Sequence, residues 1–175
     1  MARAVLISIR PEWVDKIITG EKTVEIRKTR PNLGTPFKCY IFCTKSGVAM
    51  GMWGKHSKKV VGEFVCNRID TINPATEPYG IYDVDDDFLA QTCLENGALW
   101  DYGHGKTLYS WHISNLEIYD TPKELTEFHA FKKCSSCGKS GYESAACIYD
   151  ENCMVPAVIT KAPQSWCYVE ELNNG

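Results

Sequence analysis

A short amphipathic helix that ends at a glycine and leads at once into a charged strand most constrains how this 175-residue chain folds. Pro11 suits the first turn of the helix, and Gly20 suits the position just past its end. The next segment, residues 23–28, alternates in the manner of a strand, so Val24 and Ile26 are predicted to face a core. The sequence therefore predicts a helix, a tight turn and a half-buried strand in direct succession.

The polar side chains of this strand are predicted to share the face opposite the core. They are Thr23, Glu25 and Arg27, and Lys22 lies at the entrance to the strand. Neighbours on one face of a strand are about 6.5–7 Å apart. Charges of both signs beside a hydroxyl group on a structured segment are typical of a binding pocket. The plainer alternative is that Glu25 and Arg27 only pair with each other on the strand face.

The remaining pattern predicts further short strands at residues 4–9, 37–44, 59–69, 107–113, 116–119 and 165–172. A second helix is expected from Asp85 to about Glu95, with the acidic run at its start as a cap. Thr121 begins a capping-box signature that predicts a third short helix. Gly62 inside a strand indicates a bulge or a close approach. Six or seven strands with two or three helices indicate an α+β domain built on a small β-barrel or curled sheet.

Composition is that of one globular domain spanning residues 1–175. The apolar fraction is 44%, with five tryptophans and nine tyrosines, which is enough to build a core. No apolar run approaches the roughly 20 residues of a membrane span. The apolar run at residues 4–9 is too short for a signal peptide. We therefore expect a soluble, cytoplasmic protein with no membrane partner.

Charge is unevenly distributed along the chain. Residues 1–62 carry 12 Lys and Arg against 4 Asp and Glu, whereas residues 63–175 carry 7 against 18. This asymmetry favours a basic face that attracts phosphates, unless folding interleaves the two signs. Histidines give no comparable signal, because His56, His104 and His112 have no evident partner in the sequence and are expected to be structural.

Four of the nine cysteines lie close together in a Cys/Ser/Gly-rich insertion at about residues 132–156: Cys134, Cys137, Cys147 and Cys153. The first two form a C-x-x-C knuckle of the kind that wraps a tetrahedral metal ion. The insertion has few apolar residues, so a metal would supply its folding free energy in a reducing compartment. We expect structural zinc and no organic cofactor, with disulfides or free thiols as the alternative.

Four further cysteines lie in apolar segments, where buried free thiols are common. These are Cys39, Cys43, Cys66 and Cys93. They are predicted to be core residues.

Four residues of the opening segment match the motif G-x-K-x-x-E-x-R: Gly20, Lys22, Glu25 and Arg27. With this motif the chain resembles the ASCH domain family, whose fold is PUA-like. The closing stretch, residues 159–169, is similar to the final strand of phage- and prophage-type members. The resemblance implies a small α+β barrel with short flanking helices and a cleft beside the motif strand. The cysteine-rich insertion departs from typical members.

The resemblance also implies binding of RNA, a nucleotide or a nucleoside in that cleft. Lys22 and Arg27 suit a phosphate or a base-edge acceptor, and Glu25 suits an exocyclic amine. Further ligand-binding residues are expected from the ends of the first and last strands: Arg10, Gln164, Ser165 and Trp166. The candidates for stacking on an unpaired base are Trp53, Trp111 and Trp166, although tryptophans are more often core residues.

Two other functions remain open, and the first is that of a small hydrolase acting on a modified nucleoside or on RNA. Some relatives are small amidohydrolases of acetylated cytidine, which resemble this chain at Lys22 but place a threonine nucleophile where it has Glu25. In a hydrolase of this kind, either Thr23 replaces that nucleophile, or Glu25 acts as a general base while Lys22 or Arg27 stabilises an oxyanion. The catalytic candidates are thus Lys22 and Glu25. Alternatively, the chain is a protein-interaction module with the cysteine-rich insertion as its contact.

Overall fold

The computed structural model describes residues 2–45, 57–130 and 157–172. Eight strands in these ranges form one sheet: β1 Arg3–Ile9, β2 Val24–Arg27, β3 Phe37–Cys43, β4 Val60–Ile72, β5 Leu108–Lys123, β6 His129–Ala130, β7 Ala157–Val158 and β8 Trp166–Glu170. The helices are α1 Pro11–Ile18, α2 Asp86–Thr92, α3 Asn96–Gly103 and a 3-10 helix at Leu125–Glu127. The α+β class predicted from the sequence is confirmed.

The strand order places the first and last described strands side by side. It runs β2-β5-β4-β3-β1-β8-β6-β7. β1 is parallel to β3, with Ile9 opposite Cys43, and the other pairings among the described strands are antiparallel. β8 flanks β1 on its other side, with Trp166 opposite Ile7.

The sheet curls strongly, although its edge strands β2 and β7 do not pair with each other in the described ranges. Four strand steps separate β2 from β1, which corresponds to about 19 Å in a flat sheet. Nevertheless, Nη2 of Arg27 in β2 donates to the carbonyl oxygen of Ser8 in β1 at 2.7 Å. Because an arginine side chain is too short for the flat distance, the sheet must bend into an open barrel. We call the gap between β2 and β1 the seam.

Apolar side chains cover both faces of the central strands. Val5, Ile7 and Ile9 of β1 point into a cluster shared with α1, β3, β4 and Trp111. Ala4 and Leu6 of the same strand join a second cluster on the opposite face. β1 is therefore buried on both sides, as its continuous apolar run predicts.

A third apolar cluster fixes β2 at the edge of the sheet. It unites β2 with the end of β4, the start of β5 and α3: Val24, Ile26, Ile72, Tyr82, Leu99 and Leu108. Val24 and Ile26 thus face a core as predicted. Since side chains alternate along a strand, Glu25 and Arg27 point the other way, toward the seam.

Two helix ends follow their sequence signals. Gly20 has a φ of +78°, the left-handed conformation expected of a glycine that follows a helix. The Asp85 side chain accepts a 2.7 Å hydrogen bond from the backbone N–H of Phe88, so it caps α2. Within the described ranges, no helix has the length and apolar character needed to span a bilayer.

Gly62 is the site of a close approach between β4 and β5, as its place in a strand predicts. A Cβ atom at this position would lie 2.4 Å from the carbonyl oxygen of Glu117. The pairing register also shifts between Val60 and Gly62. A glycine is therefore needed where the two long strands bend around the barrel.

Three local predictions are corrected by the structure. The separate strands at 107–113 and 116–119 form the single strand β5. The helix predicted at Thr121 is wrong, because β5 continues to Lys123 and the capping box instead joins Glu124 to Glu127 around the 3-10 helix. α3 was not predicted, because the second helix was expected to end at about Glu95 with no helix after it. The N-cap of α3 has no side-chain hydrogen bond that would have indicated its start.

Candidate functional site

Three charged side chains of the motif segment form one buried group at the seam, here called the charged triad: Lys22, Glu25 and Arg27. Glu25 lies between the two cations. Its Oε1 is 3.0 Å from Nη2 of Arg27, and its Oε2 is 3.4 Å from Nζ of Lys22. All three side chains are less than 10% exposed. Because buried charges are costly unless they are paired, this mutual pairing holds the triad in one geometry.

Lys22 is enclosed, whereas the sequence placed it at an open strand entrance. Its Nζ donates to the carbonyl oxygen of Thr92 at 2.7 Å, at the C-terminal end of α2. A cation is favourable there because the helix end exposes unpaired carbonyl groups. The same Nζ lies 5.3 Å from the ring centroid of Trp13. The side chain is 2% exposed, so α1 and α2 together form its cage.

Arg27 ties the two sides of the seam together. Besides its bond to the Ser8 carbonyl, its Nη1 donates to Oγ of Ser165 at 3.3 Å. Ser8 in turn donates through Oγ to the carbonyl oxygen of Pro163 at 2.7 Å. The Nε of Arg27 is buried and has no hydrogen-bond partner among the described residues. Buried donors are nearly always paired, so this N–H is an exception among the described residues.

The triad forms the floor of a cleft of about 450 Å³ along the seam, here called the seam cleft. This volume lies in the range of small-molecule sites. Its walls come from the end of β1, α1, α2–α3 and the segment before β8. The lining comprises Ser8, Ile9, Arg10, Trp13, Lys22, Glu25, Ile26, Arg27, Thr44, Leu94, Ala98, Tyr102, Gln164 and Ser165.

Two aromatic rings line the seam cleft, and the sequence indicated neither. Trp13 belongs to α1 and also packs against the first apolar cluster. Tyr102 belongs to α3 and is 37% exposed. Burial raises the pKa of its hydroxyl group, which Arg27 opposes and Glu25 reinforces. The helix that carries Tyr102 was not predicted, so its approach to the motif strand could not be foreseen.

Six of the seven predicted ligand-binding residues line the seam cleft: Arg10, Lys22, Glu25, Arg27, Gln164 and Ser165. Trp166 lies outside the lining. Its ring packs 5.9 Å from Trp111 and 5.3 Å from Tyr168, and its Nε1 donates to Thr29. Trp111 is a fully buried core residue. The third stacking candidate, Trp53, lies outside the described residues.

Thr23 does not reach the seam cleft. Strand β2 begins at Val24, so the alternation that would place Thr23 beside Glu25 does not extend to it. Thr23 is therefore not placed to act as a nucleophile in the seam cleft, and Glu25 already contacts a cation at each oxygen.

The predicted zinc ligands, Cys134, Cys137, Cys147 and Cys153, lie outside the described residues, as does His56. Within the described ranges, no group of three or more His, Cys, Asp or Glu side chains is arranged to hold a metal ion. Three of the predicted core thiols, Cys39, Cys43 and Cys66, are buried, and burial raises the pKa of each. Cys93 is only partly buried.

Comparison with known proteins matches this fold to one family. A family model described as the ASCH domain matches residues 7–122, more than half of the chain. The ASCH protein of Zymomonas mobilis has a crystal structure with a TM-score of 0.51 at 19% identity, covering 70% of this chain and 73% of that one. The crystal structure of a mutant form of that protein has a TM-score of 0.49 at 21% identity, covering 70% of this chain and 76% of that one. No curated protein matches the chain. At this identity the structural likeness shows the fold alone.

Proposed function

This chain belongs to the ASCH domain family, and from that premise we propose that it is an RNA- or nucleotide-binding module whose seam cleft holds an unpaired base. One observation carries the proposal: a fixed triad of charges forms the floor of an open cleft that two aromatic rings also line. Aromatic rings with a few convergent polar groups are the usual means of holding a single-stranded base.

The roles of the floor residues follow from their contacts. Glu25 is oriented by a cation at each oxygen, so its remaining lone pairs can accept hydrogen bonds from an exocyclic amine. Arg27 holds one oxygen of Glu25 and, through Ser8 and Ser165, keeps the two sides of the cleft together. The Lys22 side chain is too deeply buried to contact a phosphate group, and its role is to hold the Glu25 carboxylate in place.

The roles of the rim residues follow from their exposure. Arg10 is 77% exposed on its side chain and is the natural contact for a phosphate group at the mouth of the cleft. Gln164 and Ser165 add neutral hydrogen-bonding groups on the opposite wall. Trp13 and Tyr102 supply the surfaces on which a base would stack.

The test is binding of fluorescently labelled single-stranded RNA, measured by anisotropy at several salt concentrations. Affinity should fall with salt, because phosphate contacts release counterions. Tyr102→Ala should weaken binding by about 1–3 kcal/mol through lost stacking. The matched control is Tyr79→Ala, since Tyr79 is 85% exposed and packs on Trp100 outside the cleft. Equal losses in the two variants, or no RNA binding at all, would reject the proposal.

The same protein sample also tests the alternative function, hydrolysis of a modified nucleoside. Incubation with a panel of acylated nucleosides should give no product if the cleft only recognises its ligand. Turnover that disappears in Lys22→Ala and Glu25→Gln would instead show that the triad is catalytic.

We also propose that the cysteine-rich insertion binds one structural zinc ion through Cys134, Cys137, Cys147 and Cys153. The support is the C-x-x-C knuckle followed by two further thiols in a segment with few apolar residues. Metal analysis of the protein purified under reducing conditions should give one zinc per chain. A content well below one would reject the zinc site and favour free thiols or disulfides.

A further inference from the structure

A second cleft lies on the other side of the motif segment, and none of the roles given above uses it. It has a volume of about 410 Å³, and we call it the Arg68 cleft. Its lining is almost wholly polar: Thr23, Asn67, Arg68, Gln91, His112 and Ile113. A cleft of this character is unsuited to an apolar ligand and suits one that accepts hydrogen bonds.

A single carboxylate oxygen organises the charged groups of this cleft. Oδ2 of Asp70 lies 3.0 Å from Nε of Arg68 and 2.7 Å from Nε2 of His112. Nη2 of Arg68 is 3.1 and 3.4 Å from the two ring nitrogens of His112, so it lies over the imidazole face and not in line with either nitrogen. His112 is thus partnered, contrary to the expectation from the sequence. The Arg68 side chain is nevertheless 64% exposed, which leaves its outer N–H groups accessible.

The Arg68 cleft adjoins the seam cleft at two places in the chain. Lys22 lines the seam cleft, and its neighbour Thr23 lines the Arg68 cleft. Leu94 lines the seam cleft, and Gln91, which belongs to α2, lines the Arg68 cleft. These two segments are joined by a hydrogen bond, in which the N–H of Thr23 donates to the carbonyl oxygen of Gln91 at 3.0 Å. Consecutive Cα atoms are about 3.8 Å apart, so the two clefts are immediate neighbours.

We infer that the Arg68 cleft binds a backbone phosphate of the same RNA whose base enters the seam cleft, and this inference rests on the proposed function. Guanidinium, amide and hydroxyl groups are the usual phosphate contacts, and Arg68, Gln91, Asn67 and Thr23 provide them. The ligand is therefore an oligonucleotide, in which the phosphate of a neighbouring nucleotide reaches past the edge strand β2.

The carboxylate of Asp70 explains why the two clefts act together. It offsets the charge of Arg68, so the cleft attracts a free phosphate ion only weakly. A phosphate that is covalently linked to a base already bound in the seam cleft arrives at a high effective concentration, and a weak contact then adds to the overall affinity. Inorganic phosphate should consequently be a poor competitor, whereas a longer oligonucleotide should bind better than a mononucleotide.

The test compares a mononucleotide with single-stranded oligonucleotides of increasing length, using the wild type and Arg68→Met. The variant should bind the oligonucleotides several-fold more weakly and reduce the slope of log affinity against log salt by about one. It should bind the mononucleotide as well as the wild type does. Arg68→Lys should retain most of the salt slope, because a point charge still neutralises a phosphate. The matched control is Lys106→Met, an exposed cation outside both linings.

The possible outcomes separate the two proposals. If Arg68→Met binds oligonucleotides as tightly as the wild type while Tyr102→Ala binds them more weakly, phosphate binding in the Arg68 cleft is overturned and the proposed function stands. Equal losses for the mononucleotide and the oligonucleotides would also overturn it. If the wild type binds neither, both proposals fail. Thermal unfolding should be close to wild type in Arg68→Met, since the side chain is largely exposed.

Discussion

At the scale of single residues, the site depends on a carboxylate that is fixed before any ligand arrives. Glu25 contacts Lys22 and Arg27 within the barrel seam, and each cation is in turn held by a backbone carbonyl. The carbonyls belong to Thr92 of α2 and Ser8 of β1. A carboxylate restrained in this way offers hydrogen-bond acceptors in one direction, which is a requirement for selective recognition.

Removal of Lys22 should cost more stability than removal of an exposed lysine. Lys22→Met leaves the buried Glu25 with one cation and the Thr92 carbonyl without its donor, so the free energy of unfolding should fall by about 3 kcal/mol. The control is Lys16→Met, whose partner Glu21 is 59% exposed and whose loss should cost less than about 1 kcal/mol. Urea denaturation measures both. Similar losses would mean that the buried contacts of Lys22 contribute little.

The sequence predicted the floor of the site better than its walls. The motif alone brings Glu25 and Arg27 onto one strand face. Arg10 was added from its place at the end of the first strand, and the resemblance added Gln164 and Ser165. Trp13 and Tyr102 could not be found in this way. Whether a helix residue faces the core or a cleft depends on how close the curl of the sheet brings β2 to β1. The periodicity of apolar residues does not encode that distance.

At the scale of secondary-structure elements, α2 links the two clefts. Its C-terminal carbonyl holds Lys22, and its Gln91 side chain lines the Arg68 cleft. The acidic cap at its start was predicted from the run of aspartates. α3 was not, because tertiary packing of Leu99 and Trp100 stabilises it in the absence of an N-cap side chain.

Loss of the α2 cap should affect both stability and binding. Asp85→Ala removes the acceptor for the Phe88 N–H and should lower the free energy of unfolding by about 1 kcal/mol. Because α2 positions Lys22 and Gln91, oligonucleotide affinity should fall as well. The control is Asp86→Ala, which keeps the cap side chain and removes an equivalent charge from the first turn. If the two variants behave alike, charge and not capping explains the effect.

The crossing of β4 and β5 should not tolerate a side chain at Gly62. Gly62→Ala places a methyl group 2.4 Å from the Glu117 carbonyl oxygen, so the strands must separate and stability should fall by about 1–3 kcal/mol. Gly34→Ala is the control, since a Cβ atom there has nothing within 4 Å. Thermal unfolding measures the difference. A neutral result at Gly62 would show that the bulge can relax.

At the scale of the whole molecule, the open barrel places the site where the sheet fails to close. Parallel pairing of β1 with β3 and antiparallel pairing with β8 leave the seam as a gap that side chains bridge. The barrel-like α+β fold was predicted from the number and spacing of strands. The continuity of β5 was not, because Asn115, at a φ of 47°, resembles a turn yet lies within this strand.

Stability should fall as the pH rises above about 9, because four cysteines, Cys39, Cys43, Cys66 and Cys167, have raised pKa values in the folded protein. Burial raises the pKa of Cys43 to about 11, of Cys66 to about 12 and of Cys167 to about 11, from 9.0. At pH values between the ordinary and the raised pKa, the thiols of the unfolded chain have lost their protons, whereas those of the native protein retain theirs. A rise in pH within this range therefore favours unfolding.

Urea denaturation under reducing conditions at about pH 8 and about pH 10.5 tests this effect. The triple variant Cys43→Ala, Cys66→Ala and Cys167→Ala should lose less stability between the two pH values than the wild type does. An equal loss would assign the alkaline sensitivity to other groups, such as Tyr40, whose pKa burial raises to about 12.

The pairing of β1 with β8 has a consequence for how the protein matures. Ser8 and Pro163 are 155 residues apart in the chain, and Arg27 meets Ser165 across 138. Contacts of such separation form late, because the entropy of closing a long loop must first be overcome. A chain emerging from the ribosome therefore carries the motif well before β8 is made, and it acquires a finished cleft only when β8 docks. Ligand binding would then report that folding is complete.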